Sequence, residues 1–138
     1  MDDQLKSLAE HFEKEPYARL LGIGLEELEE GRAVVKMKLS ADDNNLLGAT
    51  HGGAIFSLID AAFELTVNSH GTVAVALNVS INYINPVFAG ETICAEGIEV
   101  SRSNRIATCR IVVRGEDGRD IATCQTMAYR KKDKLPFL

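Results

Sequence analysis

Residues 53–68 read Gly-Ala-Ile-Phe-Ser-Leu-Ile-Asp-Ala-Ala-Phe-Glu-Leu-Thr-Val-Asn. The apolar residues recur at intervals of three and four, which is the period of an α-helix. They cover one broad face made of Ile55, Leu58, Ile59, Ala62, Phe63 and Thr66. The polar residues cluster on the opposite side and comprise Ser57, Asp60, Glu64 and Asn68. A helix this apolar is predicted to lie at the centre of the fold rather than on its surface.

Strand-like sequences lie on both sides of this helix. Before it, residues 24–30 and 32–39 predict a hairpin. After it, turn residues separate four further runs, which cover residues 72–84, 91–101, 105–115 and 119–130. One helix and five or six antiparallel strands predict an α+β fold in which the sheet curls around the helix.

The length of 138 residues fits a single domain, so we expect residues 1–138 to form one folded unit. Helical spacing, interrupted at Pro16, predicts an N-terminal helical segment over residues 1–22. Residues 131–138 are expected to form a basic tail. A sheet covered by one helix leaves an open edge, and self-association protects such an edge most simply. We therefore expect a homo-oligomer.

The formal net charge of −5 is unevenly distributed along the chain. Residues 39–101 contain seven acids and no lysine or arginine, whereas residues 102–138 contain nine bases and four acids. The middle of the chain therefore supplies no catalytic lysine or arginine clamp, and contacts to an anion must come mainly from the last quarter. The acidic balance and the lack of an aromatic and basic surface argue against nucleic-acid binding.

Several other classes of partner are also disfavoured. No apolar run approaches the ~18 residues that cross a membrane, and the acidic N-terminus lacks the apolar core of a signal peptide. Three cysteines cannot all pair within one chain, so reduced thiols in a cytoplasmic protein are expected. None of the three histidines has a second ligand at zinc spacing, and no nucleotide-cofactor motif is present. We expect no metal and no cofactor.

The stretch that carries chemistry is Asn45-Leu-Leu-Gly-Ala-Thr-His-Gly-Gly53, immediately before the helix. A helix N-terminus has free backbone N–H groups and a partial positive charge. The paired glycines let another chemical group approach that backbone closely. An oxyanion hole needs both features. Taken alone, however, a glycine pair is more often a tight turn, and a single histidine such as His51 is more often a structural residue.

Asp60 falls in the second or third turn of the helix. A carboxylate there is costly unless it is paired or protonated, and a lone aspartate more often faces solvent. If a sheet encloses the helix, the polar side must face a pocket or a partner subunit. Asp60 then becomes a candidate nucleophile or general base, and the absence of nearby cations predicts a raised pKa for its carboxyl group.

Together these residues resemble the hotdog-fold acyl-CoA thioesterases of the phenylacetic-acid-degradation type. The pattern that carries the resemblance comprises Asn45, Gly48, His51-Gly52-Gly53, Phe56-Ser57-Leu58, Asp60, Phe63 and Asn68-Ser69. Further similar segments lie at 17–22, 82–86, 89–91 and 99–102. The resemblance extends over most of residues 16–130.

The resemblance implies a sheet wrapped around the helix and two subunits joined into one continuous sheet. It implies that the Gly52 N–H holds the oxyanion, Asn45 positions the thioester or the water, and His51 supports the same region. Asp60 of the partner subunit would attack the carbonyl carbon or activate water, and both routes stay open. The implied substrate is an acyl-CoA. The implied assembly is a dimer at minimum, or a tetramer built as a dimer of dimers.

Further substrate contacts are implied at Gly53, Glu64 and Asn78. Asn78 falls in the region where some relatives carry a serine or threonine, and Glu64 falls where several carry a small or apolar residue. These departures leave the acyl group undetermined. The basic turn Arg102-Ser103-Asn104-Arg105 is expected to contact the CoA phosphates, with Arg130-Lys131-Lys132 as a second choice. A simple solvated charge is the alternative for each of these bases.

Two other functions stay open beside acyl-CoA hydrolysis. One is a hotdog module that binds acyl-CoA without hydrolysing it, and the other is a hotdog hydratase or dehydratase. The intact set of Asn45, His51, Gly52 and Asp60 favours hydrolysis over both, because a hydratase needs its acid placed differently relative to the catalytic histidine.

Overall fold

Three helices and one six-stranded sheet account for most of the computed structural model, which describes residues 1–138. The helices are α1 (Asp3–Glu13), α2 (Pro16–Leu21) and α3 (Gly52–Asn68). The strands are β1 (Gly24–Glu29), β2 (Arg32–Lys38), β3 (Thr72–Tyr83), β4 (Thr92–Arg102), β5 (Ile106–Gly115) and β6 (Asp120–Lys134). A short 3₁₀ turn at Ala41–Asp43 follows β2.

The sheet has the strand order β1-β2-β4-β5-β6-β3, and every neighbouring pair is antiparallel. Helix α3 lies against one face and contacts all six strands. Leu58, Ile59 and Leu65 on α3 are fully buried against this face. This confirms the predicted α+β fold in which the sheet curls around one central helix.

Helix α3 approaches β4 closely because that strand carries a glycine at the point of contact. A Cβ atom added at Gly97 would lie 2.7 Å from Thr66 Oγ1 and 3.3 Å from the Ala62 carbonyl oxygen. Any side chain at position 97 would push the helix away from the sheet. Gly97 therefore sets how deeply the helix is seated.

The polar side of α3 is narrower than the sequence predicts. Ser57 is buried, and its hydroxyl donates to the Gly53 carbonyl at 2.9 Å and lies 3.0 Å from the Tyr17 hydroxyl. Asn68 is also buried, and its Oδ1 accepts the Ala74 N–H at 2.9 Å. The exposed part of the helix beyond its first turn is a line of side chains one turn apart, here called the open stripe: Phe56, Asp60 and Glu64.

The expected basic tail is partly wrong. Strand β6 continues to Lys134, which pairs with Thr72 at the start of β3. The Leu135 N–H then donates to the Gly71 carbonyl at 3.0 Å, and the Leu135 side chain is buried. Backbone pairing with β3 thus holds residues 131–134 in the sheet, so these residues belong to the fold.

The two edges of the sheet differ in charge. Edge strand β3 has 12 residues and no charged side chain, and Leu77 on it is 56% exposed. Edge strand β1 contains three glutamates, and Glu27 forms an ion pair of 2.6 Å with Arg32. Charged side chains on an edge oppose pairing with another chain. The uncharged β3 edge is therefore the one suited to pairing.

No helix of the fold is long and apolar enough to span a membrane.

Candidate active site

The first turn of α3 leaves one backbone donor without an acceptor. His51 is the N-cap, and its Nδ1 accepts the Gly53 N–H at 2.8 Å. The Ala54 and Ile55 N–H groups donate to the His51 carbonyl at 3.0 and 3.4 Å. The Gly52 N–H has no acceptor within the chain. It stands at the positive end of the helix dipole, where a donor stabilises a developing oxyanion.

The contact with Gly53 also defines the tautomer of His51. Because Nδ1 accepts a hydrogen bond, the neutral ring carries its proton on Nε2. The His51 side chain is exposed, so its Nε2–H is available to a ligand at the mouth of the site. A side-chain donor and the unpaired Gly52 N–H thus stand next to each other at the N-terminus of α3.

Tyr83 is a residue that the sequence analysis missed. It ends strand β3, and its hydroxyl donates to the Gly52 carbonyl oxygen at 3.0 Å. A Cβ atom added at Gly52 would lie 3.3 Å from the Tyr83 ring and hydroxyl. Glycine at position 52 therefore lets the tyrosine approach the first turn of α3. The only signal in the sequence was the position of Tyr83 inside a segment of the resemblance.

Asn45 shapes the loop before α3. Its Oδ1 accepts the Leu47 N–H at 2.8 Å and the Ala49 N–H at 3.2 Å. Gly48 in the same loop has φ of +81°, a value that favours glycine. With the side-chain oxygen engaged, only the Nδ2 amide of Asn45 is left to donate to a substrate or a water molecule.

Asp60 and Glu64 lie on the open stripe with Glu15, the N-cap of α2, beside them. Solvent reaches both helix carboxyl groups in the single subunit, yet the surrounding protein removes enough water to alter their ionisation. This burial raises the pKa of Asp60, and the charge of Glu15 raises it further. Burial, a hydrogen bond to Glu15 and the charges of Glu15 and Asp60 raise the pKa of Glu64 to about 8.

The Gly52 N–H and the Asp60 carboxyl of one subunit are too far apart to act on one carbonyl group. They are separated by eight residues of helix, which corresponds to a rise of about 12 Å. A nucleophile or base must instead approach the reacting carbon to about 3 Å. A carbonyl group bound at the Gly52 N–H is therefore out of reach of the Asp60 carboxyl group of the same chain.

Asn78 does not share the surface of Asp60 and Gly52. A bulge in β3 precedes it, and its cross-strand partner is Met127, which is exposed, whereas the neighbouring Ala128 is buried against the core. Asn78 thus lies on the outer face of the sheet, where it lines an open groove of about 790 Å³. The residue of this stretch that points with Ala128 is Ala76, which has no hydroxyl group.

Two basic segments that are distant in sequence form one groove of about 420 Å³, here called the basic groove. It is lined by Asn104, Arg105, Tyr129, Arg130, Lys131, Lys132 and Asp133. Arg105 is held by the Tyr129 hydroxyl, to which its Nη1 donates at 2.8 Å. Arg102 lies outside this lining, with its Nε 3.8 Å from Glu99. The Ser103 hydroxyl accepts the Ile106 N–H at 3.1 Å and so serves the turn.

Comparison with known proteins identifies the family. The model of the thioesterase superfamily matches residues 47–122, which is more than half of the chain. The chain belongs to the thioesterase superfamily. As a member of this superfamily it is a thioester hydrolase, and the matched residues include the first turn of α3 and the open stripe.

Individual relatives agree with the superfamily assignment. A putative esterase of Archaeoglobus fulgidus is 36% identical over 125 residues, which cover 91% of this chain and 81% of the relative. The acyl-coenzyme A thioesterase PaaI of Escherichia coli is 42% identical over 84 residues, which cover 61% of this chain and 60% of that protein. The solved structure of E. coli PaaI has a TM-score of 0.91, 29% identity and 95% coverage of both chains. These similarities agree with the hotdog fold implied by the sequence.

A structural neighbour also holds a relevant ligand. The structure of a Streptococcus mutans protein bound to acetyl-CoA has a TM-score of 0.79 and 25% identity, and covers 82% of this chain and 91% of that protein.

In the present thioesterase-superfamily chain, no group of three histidine, cysteine, aspartate or glutamate side chains is arranged to hold a metal ion. The chemistry that its residues offer is carbonyl polarisation by a backbone N–H together with a carboxylate of raised pKa.

Proposed function

We propose that this chain hydrolyses acyl-CoA thioesters, with the thioester carbonyl oxygen bound by the Gly52 N–H. The observation that carries the proposal is this single unpaired amide, which stands beside amides that all have acceptors. Similarity to E. coli PaaI, and to a neighbour whose structure contains acetyl-CoA, supports acyl-CoA as the substrate class.

The carboxylate that acts on this carbonyl comes from a second subunit. Antiparallel pairing of two β3 edges around a twofold axis would also make the two α3 helices antiparallel. The first turn of one helix then lies beside the middle of the other, which brings Gly52 of one subunit towards Asp60 of the other. The uncharged β3 edge and the gap of about 12 Å within one helix support this shared site.

In the proposed reaction, water cleaves the C–S bond of the thioester. The Asp60 carboxylate either attacks the carbonyl carbon or removes a proton from an attacking water molecule. In both routes negative charge develops on the carbonyl oxygen, where the Gly52 N–H stabilises it. The tetrahedral intermediate then expels the CoA thiolate, which takes up a proton to give free thiol. In the general-base route this step also yields the acid. In the nucleophilic route it leaves a mixed anhydride of Asp60, which a water molecule then hydrolyses to the acid and the Asp60 carboxylate. Asn45 Nδ2 and His51 Nε2–H donate hydrogen bonds that orient the thioester.

The basic groove supplies the contacts for the CoA phosphates. It lies at the C-terminal end of β6, which is next to the start of β3 because Lys134 pairs with Thr72. In the antiparallel dimer this end of one subunit faces the Tyr83 end of its partner. The groove of one subunit would therefore hold the nucleotide while the thioester lies at the partner's first turn of α3.

The dimer is proposed as the minimum unit, and a tetramer as a pair of such dimers. The open groove of about 790 Å³ on the outer face of the sheet offers a surface for the second contact. Three free cysteines support a reducing, cytoplasmic location. The acidic surface of the open stripe disfavours nucleic acids as partners.

A thiol-release assay tests the proposed activity. Short, medium, long and aromatic acyl-CoAs are incubated with the wild type and with Asp60→Ala. Release of thiol that is lost in Asp60→Ala is the expected result. Binding without turnover would instead make the chain an acyl-CoA binder, and hydration of an enoyl-CoA without thiol release would make it a hydratase.

Two further experiments test the mechanism. Leu77→Lys, on the uncharged edge, is expected to give monomers and to abolish turnover, whereas Glu29→Lys on β1 leaves the dimer intact; sedimentation and the thiol assay report both. A single turnover in ¹⁸O-labelled water distinguishes the two routes. Attack by Asp60, followed by hydrolysis of the anhydride at its aspartyl carbon, leaves the label in that carboxyl group. General-base catalysis leaves the label only in the released acid.

A further inference from the structure

The peptide group between Gly52 and Gly53 is held at both of its polar atoms. Its carbonyl oxygen accepts the Tyr83 hydroxyl proton at 3.0 Å, and its N–H donates to His51 Nδ1 at 2.8 Å. These two bonds come from opposite directions, one from the end of an edge strand and the other from the residue before the helix.

This peptide group needs such restraint because neither flanking residue has a side chain. A Gly-Gly peptide rotates at little steric cost. Carbonyl groups in the first turn of a helix point towards its C-terminus, and N–H groups point towards its N-terminus. Rotation of this peptide would turn the Gly52 carbonyl oxygen towards the Gly52 N–H side, where the oxyanion is to form. A negative end of a dipole there would repel the oxyanion.

We propose that Tyr83 is a positioning residue of the oxyanion hole, which locks the Gly52–Gly53 peptide in its active orientation through the bond from its hydroxyl to the Gly52 carbonyl. This inference rests on the proposed function. His51 restrains the N–H of the peptide. Its oxygen atom, the first carbonyl oxygen of α3, is the helical acceptor for the Phe56 N–H, and the Tyr83 hydroxyl adds a second bond that keeps this oxygen out of the hole.

The position of Tyr83 also connects its hydrogen bond to the Gly52 carbonyl with formation of the dimer. Tyr83 pairs with Ala122 on one side, and its other side belongs to the open edge of β3. Pairing of two β3 edges would fix the strand that carries the tyrosine. The orientation of the Gly52–Gly53 peptide is then coupled to formation of the dimer, so that a free subunit has a less ordered oxyanion hole.

Tyr83→Phe tests the lock because it keeps the ring and removes only the hydroxyl. Loss of one neutral hydrogen bond is expected to lower kcat about three- to tenfold, with KM within about twofold of the wild type and an unchanged oligomeric state. Tyr17→Phe is the matched control, since it removes a tyrosine hydrogen bond to Ser57 on the same helix without touching the Gly52–Gly53 peptide. Its kcat is expected to stay at the wild-type value.

An NMR measurement reports the orientation of the Gly52–Gly53 peptide group independently of the catalytic rate. In ¹⁵N-labelled protein, the Gly52 and Gly53 amide resonances are expected to broaden or shift in Tyr83→Phe and to stay unchanged in Tyr17→Phe. Unchanged kcat and unchanged amide resonances in Tyr83→Phe would overturn the inference. A rise in KM at constant kcat would also overturn it, by making Tyr83 a substrate contact. Absence of thiol release in the wild type would refute the proposed function instead.

Discussion

The open stripe of α3 and the basic groove are opposites in charge. The surroundings of Asp60 contain Glu15 and Glu64 and no lysine or arginine, whereas the groove is lined by two arginines and two lysines. The difference agrees with the two chemical roles proposed for these regions. A carboxylate that must react near neutral pH gains from the absence of cations, because a nearby cation would lower its pKa and its basicity. Recognition of phosphates needs the cations.

The largest expected effect comes from removing the carboxylate that is proposed to react. Asp60→Asn is expected to lower kcat by about 10²- to 10⁴-fold, because an amide neither attacks the carbonyl nor accepts the proton from water. Asp133→Asn, in the basic groove, is the matched control and is expected to keep kcat. Steady-state thiol release measures both, and comparable losses in the two variants would remove the functional contrast between the regions.

The next effect concerns the cationic side. The double variant Arg105→Ala/Lys131→Ala is expected to raise KM for acyl-CoA about five- to tenfold while leaving kcat nearly unchanged. The difference from the wild type should shrink at high ionic strength, since exposed charges are screened by salt. Arg114→Ala, whose arginine pairs with Asp120 outside the groove, serves as the control. Arg102→Ala is expected to raise KM less than the double variant.

A smaller effect is expected from the acid beside Asp60. Glu15→Gln removes a negative charge that raises the pKa of Asp60. Because Asp60 is proposed to act in its carboxylate form, the acidic limb of the kcat/KM profile should move to lower pH in this variant. Glu13→Gln, on the exposed end of α1, should leave the limb in place. An acidic limb at the same pH in Glu15→Gln and the wild type would contradict the influence of Glu15 on the ionisation of Asp60 during catalysis.

The smallest effect is one of stability. The pKa of Glu64 is about 8 in the folded chain, so the folded state binds more protons than the unfolded state between about pH 4.5 and 8. The free energy of unfolding should therefore fall as the pH rises through this window. Glu64→Gln removes the titration and is expected to raise Tm at pH 9 by about 1–3 °C. Near pH 4 the variant and the wild type should have the same Tm. Thermal unfolding scans at pH 4 and pH 9 measure this difference.

The fold was predictable from the sequence because its signals are local. The period of residues 53–68 predicts the central helix, and the turn residues between the strand-like runs predict the hairpins. The end of β6 was not predictable in this way. Residues 131–134 look like a charged tail, and only their pairing with the start of β3 makes them part of the sheet.

The site was predictable in part. The residue types at positions 45, 51, 52 and 60 indicated hydrolysis through the resemblance, and the structure adds the tautomer of His51 and the unpaired Gly52 N–H. Asn78 was assigned to the substrate side, yet a bulge in β3 turns it to the outer face. A bulge of this kind has no clear signature in a strand of alternating small residues.

The sequence by itself determined the class of fold, the helix that carries the carboxylate and the separation of acidic from basic segments, because these follow from spacing and composition. Only the tertiary structure decided which groups meet. Strand pairing joins Arg105 to Arg130, the end of β3 brings the Tyr83 hydroxyl to the Gly52 carbonyl, and the rigid rise of α3 keeps Asp60 away from Gly52 in its own subunit. Each of these contacts, or separations, depends on distances in space that the order of residues does not specify.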